Sequence, residues 1–216
     1  QELETPEMRA GEYAREALKQ GLRLEAGLGT NPFKFGAIGG TDVHNSLSAI
    51  ESDNFFGKLP IQEPSPHRWD HVSKEGFGKI RYTWHYMSAG YAVVWATENT
   101  REAIWDAMQR REVYGTSGTR ITLRFFGGWG FTPADADTRY IADIGYTKGV
   151  PMGADLPQRP DGKPPTFLVA ALKDPMFGNL DRIQIVKGWV DKSGKTHEKV
   201  YNVAWGDADR RSLDSE

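Results

Sequence analysis

Asp42 and His44 stand one residue apart in the run Thr41-Asp42-Val43-His44-Asn45. On an extended chain such a pair shares a face, and in a turn it can converge on one point. A carboxylate with an imidazole is a donor set suited to Zn²⁺, Mn²⁺ or Fe²⁺, which accept mixed oxygen and nitrogen ligands. An ion of that kind generates a hydroxide nucleophile near neutral pH. Thr41 and Asn45 flank the pair as candidates to fix ligand orientation by hydrogen bonds. The tripeptide is also what a surface turn looks like, because Asp and Asn bond their own backbone. What favours a metal is position. An apolar run at 33–38 and the hinge Gly39-Gly40 lead directly into the pair, and α/β proteins place active sites just beyond short buried strands.

Other residues carry less. His67 and His71 have helical metal-site spacing, but Pro64 and Pro66 oppose a helix there and no Glu lies between them. His85, in Tyr82-Thr83-Trp84-His85-Tyr86, reads as a core histidine ahead of a cleft wall. Arg81 is placed to meet an anionic substrate or to form an exposed ion pair. Tyr114-Gly115-Thr116-Ser117-Gly118 offers backbone N–H groups for a phosphate, or simply a tight connection. No Gly-x-Ser-x-Gly occurs, so serine hydrolase chemistry has no support. The absence of Cys removes thiol catalysis, thiolate metal sites and disulfides.

These residues need elements to hold them. Thr5-Pro6-Glu7 reads as a helix start, and residues 10–25 as an amphipathic helix burying Ala14, Leu18, Leu22 and Leu24 with Tyr13, ended by Gly27 and Gly29. Residues 33–38 read as a short strand. Residues 51–79, with three Pro between 60 and 66, read as a long loop. Residues 91–96 read as a buried strand. A helix follows, capped by Asn99 with Glu102 three positions on, running to about Glu112 and burying Ile104, Trp105, Ala107 and Met108. From residue 115 the texture becomes strand-like, with strands at 120–126, 166–172, 181–187 and 199–205. Asp191-Lys192-Ser193-Gly194-Lys195 joins the last two as a hairpin. The charged tail from Asp207 to Glu216 reads as frayed.

The totals agree with a mixed fold. The chain has 216 residues, 38% hydrophobic, with seven Trp, 24 Gly and 12 Pro. That is core enough for a domain and too rich in turn formers for a helical bundle. A net charge of −2 gives no basis for binding nucleic acid or an anionic membrane. No apolar run is long enough to span a bilayer. A cysteine-free chain suits the cytosol and is equally compatible with export.

Longer runs carry a resemblance. Phe35-Gly36-Ala37-Ile38-Gly39-Gly40-Thr41-Asp42-Val43-His44-Asn45 resembles the last metal-binding motif of the polymerase-and-histidinol-phosphatase (PHP) superfamily, an Asp-x-His after a barrel strand. Asp53-Asn54-Phe55-Phe56-Gly57-Lys58, residues 94–102 (Val-Trp-Ala-Thr-Glu-Asn-Thr-Arg-Glu), residues 111–121, residues 124–129 and Gln184-Ile185-Val186-Lys187-Gly188-Trp189 resemble one branch of it, filed as a domain of unknown function. The likeness spans nearly the whole chain. It implies a distorted β/α barrel holding several divalent ions and hydrolysing phosphoesters, with Asp42 and His44 as ligands. Asp42 is then also a candidate proton acceptor for the attacking water. The superfamily's opening His-x-His is not present; the first histidine is His44, and the chain opens on Gln1.

The expectation is therefore an α/β fold. Residues 1–114 form the C-terminal part of a PHP-like barrel, and 115–216 a β-rich module. The function is that of a metal-dependent phosphoesterase acting on a small-molecule ester, completed by a missing N-terminal barrel half or another chain. Two alternatives stand beside it. One is a non-enzymatic module binding sugar or peptide in an aromatic groove around Trp69, Trp84 and Trp95, with a vestigial metal site. The other is a stable proteolytic core.

Overall fold

The computed structural model describes residues 13–47, 58–59, 65–76, 79–86, 90–158, 160 and 162–207. The expected helix start at Thr5 and, from residue 208 on, the tail expected to fray lie outside the described residues. The chain falls into two compact units, Gln1–Phe35 with Gly178–Glu216, and Gly36–Phe177. The textural change at 115 thus runs through the interior of the second unit.

In the first unit, α1 (Ala14–Leu28) ends at Gly29, whose φ of 75° is the left-handed stop expected of glycine, with its N–H donating to the Glu25 carbonyl. Gly21 is buried because the returning chain lies on it. A Cβ there would sit 2.2 Å from Asn31 Oδ1. Leu18 and Leu22, expected inside, are exposed. Instead α1 reaches the β8–β9 hairpin (Arg182–Val190 and Thr196–Trp205) through charge: Arg15 and Lys19 meet Glu198 at 2.9 and 3.2 Å.

The hairpin turn is built on one carboxylate. Asp191 Oδ1 accepts from the Ser193 N–H and hydroxyl and from the Lys195 N–H, while His197 Nε2 lies 2.7 Å from Oδ2. Gly194 supplies the positive φ. The Ser193 hydroxyl and then His197 hold the Asp191 carboxyl far below its usual range. A carboxyl depressed on folding stabilises above its unfolded pKa and loses that contribution as pH falls. Asp191→Asn should therefore lower the melting temperature at neutral pH, and the gap should narrow in acid below the ordinary carboxylate range. A pH-independent gap between the two melting curves would show that ionisation is irrelevant to the turn.

In the second unit, β3 (Ala92–Val94) and β4 (Val113–Gly115) pair antiparallel around α2 (Arg101–Gln109). A three-stranded antiparallel sheet orders β6 (Gly149–Pro151), β5 (Thr122–Gly128) and β7 (Thr166–Leu172). Against it packs α3 (Ile141–Lys148), giving a core of Phe126, Phe131 and Leu168 with Ile141 and Ile144. A smaller hairpin pairs β1 (Val72–Gly76) with β2 (Lys79–Tyr82).

Several expectations are corrected. Residues 33–38 form no strand, because a close backbone crossing at glycines replaces ladder pairing. The expected loop at 51–79 holds β1; most of its earlier part lies outside the described residues. The cap of α2 is Thr100, whose hydroxyl accepts from Ala103 N, rather than Asn99. Of the four residues expected to be buried on α2, Ala107 is fully so, while Trp105 and Met108 are exposed. The fold is mixed α and β with small antiparallel sheets, and among the described residues no barrel and no parallel strand pair occurs. No described helix is long and apolar enough to cross a membrane.

Candidate functional site

The segment leading to Asp42 is held by three glycines rather than by a ladder. Gly39 N donates to the Tyr91 carbonyl at 3.1 Å, and Thr116 N donates to the same oxygen. A side chain on Gly39 would meet Thr116 O at 2.5 Å, one on Gly90 would meet it at 1.4 Å, and one on Gly115 would meet Gly39 N at 2.7 Å. Backbones crossing at this separation leave no volume for a Cβ. The crossing fixes where the chain leaves the β3–β4 pair and so where the next residues emerge.

Asp42 then takes φ 53°, a left-handed conformation that Asp and Asn tolerate better than most residues. The bend turns its carboxylate toward His44: Oδ1 lies 3.0 Å from Nε2. The His44 N–H donates to the Lys58 carbonyl at 2.8 Å, and the Lys58 ammonium donates to Asp42 Oδ2. The Lys58 ammonium, and then His44, hold the Asp42 carboxyl below its usual range. Both side chains of the pair are open to solvent, 60% and 53% exposed. The arrangement is thus an ionised carboxylate and an imidazole converging at the surface, with a cation already bound to the carboxylate.

The other expected residues are placed differently. Thr41 and Asn45 are half-buried beside the pair, and Asn45 Oδ1 accepts from Leu47 N in a local turn. Arg81 lies on β2 and His85 in the 3₁₀ turn after it, both exposed. The core reading of His85 is thereby corrected: its Nδ1 accepts from Tyr82 N at 3.1 Å and its ring packs on Trp84, so a local turn holds it at the surface. Among the described residues, no hydrogen bond or ion pair joins Arg81 or His85 to Asp42 or His44. His67 and His71 sit at a turn, with the His71 N–H donating to the His67 carbonyl. Lys58 was missed by sequence reasoning about the site; its signal was its place at the end of the Phe55-Phe56-Gly57-Lys58 run.

Two donors fit part of a divalent-ion site. A carboxylate kept ionised and an imidazole nitrogen beside it are the right chemistry, but most protein metal sites use three or four protein ligands. Among the described residues no group of three or more His, Cys, Asp or Glu side chains is arranged to hold a metal. The three tryptophans expected to line a groove differ in setting. Trp69 and Trp84 are exposed near the β1–β2 hairpin, whereas Trp95 lies half-buried with its Nε1 donating to Leu123 O. Trp95 instead lines a cleft of about 740 Å³ with Tyr91, Asn99, Tyr114 and Arg120.

No curated protein and no solved structure matches the chain. A family match, in contrast, runs from the first residue to the last, and on it the chain belongs to the family described as Protein of unknown function (DUF3604), matched over residues 1–216.

Proposed function

We propose that this chain contributes Asp42 and His44 to the centre of a metal-dependent hydrolase whose substrate is a small phosphoester. The observation that carries this reading is the 3.0 Å approach of Asp42 Oδ1 to His44 Nε2, on an exposed turn fixed by the glycine crossing. In this reading Asp42 and His44 hold a divalent cation, Zn²⁺, Mn²⁺ or Fe²⁺. When bound, such an ion activates water and polarises the ester oxygen. The chain's own residues do the rest. Lys58 keeps the Asp42 carboxylate charged, and its ammonium supplies positive charge for a phosphoryl oxygen. Asp42 accepts a proton at its carboxylate. Thr41 and Asn45 steady the turn, and Arg81 and His85 are kept as candidates for substrate contact. The remaining donors, and the PHP-like barrel that would carry them, come from another chain.

Metal analysis tests this directly. Loaded with Zn²⁺, Mn²⁺ or Fe²⁺ in the assembly that supplies the remaining donors and then desalted, the chain should retain close to one ion per copy and lose it to a chelator. A protein that holds no metal under any of the three loadings, with its melting temperature unaffected, would defeat the hydrolase reading.

A second reading has its own observation. The cleft beside Trp95 sets the aromatic rings of Tyr91, Trp95 and Tyr114 among aliphatic and polar side chains, and its volume of about 740 Å³ is within the range of about 300–1,000 Å³ typical of small-molecule sites. A non-enzymatic binding module would use it whether or not Asp42 and His44 held an ion. Saturable quenching of tryptophan fluorescence by a neutral sugar or peptide, in metal-free protein, would favour that reading.

A further inference from the structure

Away from Asp42, a second group of charges converges where the end of α2, β5 and α3 meet. Glu112 is only 3% exposed. Its Oε1 accepts from the Tyr146 hydroxyl, and Arg124 Nη1 donates to that hydroxyl at 3.1 Å while standing 4.0 Å from the carboxylate. From the other side Arg110 Nη2 reaches Oε2 at 3.5 Å. The Arg124 guanidinium lies 3.3 Å above the centre of the Trp95 ring. These five side chains line one cleft of about 340 Å³, walled on its apolar side by Ala96 and Pro151. Partial burial, and then the bond to Glu112, push the Tyr146 phenol up, so it stays a neutral donor to the carboxylate.

A buried carboxylate needs partners, and one arginine with the phenol would serve. Here two guanidinium groups face one carboxylate. The cluster carries a net charge of +1, and each arginine directs one nitrogen inward out of a fork that offers five N–H donors. The surplus charge and donors lie on a concave wall beside an indole. Two cations this close repel each other unless an anion lies between them, and Glu112 is that anion.

We propose that this cleft binds the carboxylate end of a small ligand. Arg110 and Arg124 supply the oxyanion donors, and Trp95 with Pro151 forms the wall for the apolar part. Glu112 is a positioning residue that holds the two guanidinium groups side by side. Charge selects the ligand class: one negative charge balances the cluster, and a carboxylate's two oxygens match a guanidinium fork. A phosphate dianion would leave an excess of negative charge next to buried Glu112.

Benzoate is the probe. Titrated into the whole chain and followed by tryptophan fluorescence, it should bind saturably. Arg110 is half-exposed, so Arg110→Gln should leave the fold intact while weakening benzoate binding about 10-fold or more, as expected for a lost hydrogen bond to a charged group. Arg124→Lys keeps the charge and removes the fork, and should weaken binding as well. Circular dichroism and the melting temperature of each variant separate lost binding from lost folding. The assignment is overturned if benzoate does not saturate, if both folded variants bind it as the parent does, or if inorganic phosphate binds more tightly than benzoate at neutral pH. Loss of benzoate binding in Asp42→Asn, with Arg110→Gln unaffected, would move the ligand to the other site and overturn it too.

Discussion

Asp42→Asn is expected to lower divalent-metal retention at least about 100-fold, beyond the 10- to 100-fold typical of losing a group that merely orients a ligand, while barely shifting the melting temperature. The choice of Asn follows from the backbone. Asp42 sits at φ 53°, where Ala would add strain of its own, whereas Asn occupies the left-handed region as readily as Asp. Asn also keeps the size and the acceptor oxygen that faces His44. What it removes is the negative charge, and with it the attraction to Lys58 and to a divalent ion. The pair is solvent-exposed, and exposed ion pairs contribute little to folding, so stability and metal retention should separate. Competition with a chromophoric chelator reads the affinity, and thermal unfolding reads the fold. Metal held by Asp42→Asn at the parent's stoichiometry and affinity would remove the carboxylate from the site. Under the hydrolase reading, phosphoester turnover in any assembly containing this chain should vanish in the same variant.

Phe126→Ala should cost about 3–5 kcal/mol of unfolding free energy, the usual range for truncating a buried aromatic. Phe126 is 1% exposed and belongs to the core cluster with Phe131 and Leu168. Its ring meets Tyr146 edge-on at 5.1 Å, and α3 lies so close that a Cβ on Gly145 would come within 2.4 Å of it. Its strand neighbours, Leu168 and Pro151, are fixed by the antiparallel register of β5 with β7 and β6. The cavity would therefore persist, and the cost includes it. Urea unfolding of parent and variant measures the difference. A loss under about 1 kcal/mol would mean that the site collapses freely, contrary to the close packing of protein cores. Because Tyr146 is part of the Glu112 cluster, the same variant should also disturb the cleft between Arg110 and Arg124.

Elements governed by local rules were legible. The strand at 166–172 matches β7, and its apolar run is that of a strand packed in a sheet. The last hairpin was readable from Asp191-Lys192-Ser193-Gly194-Lys195, because an Asp that bonds its own backbone and a Gly able to take positive φ specify the turn without help from elsewhere. The helix after Asn99-Thr100 was found, though the cap fell to the neighbouring residue: either side chain satisfies a free N–H, and only the path of the preceding chain chooses. By contrast α3 was missed. Its eight residues include Gly145, whose lack of a side chain is useful only when Phe126 arrives from another strand.

The candidate pair was readable because its chemistry is written in two residues one position apart. Its setting was not. An apolar run such as 33–38 does not reveal whether its backbone will pair in a ladder or cross other segments at Gly39, Gly90 and Gly115, since that depends on residues some 50 to 75 positions away. The same holds for Lys58, brought to Asp42 across 16 positions, and for Glu112, Arg124 and Tyr146, drawn from the connection between α2 and β4, from β5 and from α3. By itself the sequence determined residue chemistry, turn geometry and strand periodicity, each of which depends on neighbours within a few bonds. The tertiary structure alone decided which charges meet and which apolar side chains are covered, because burial and ion pairing are properties of segments that the chain brings together only on folding.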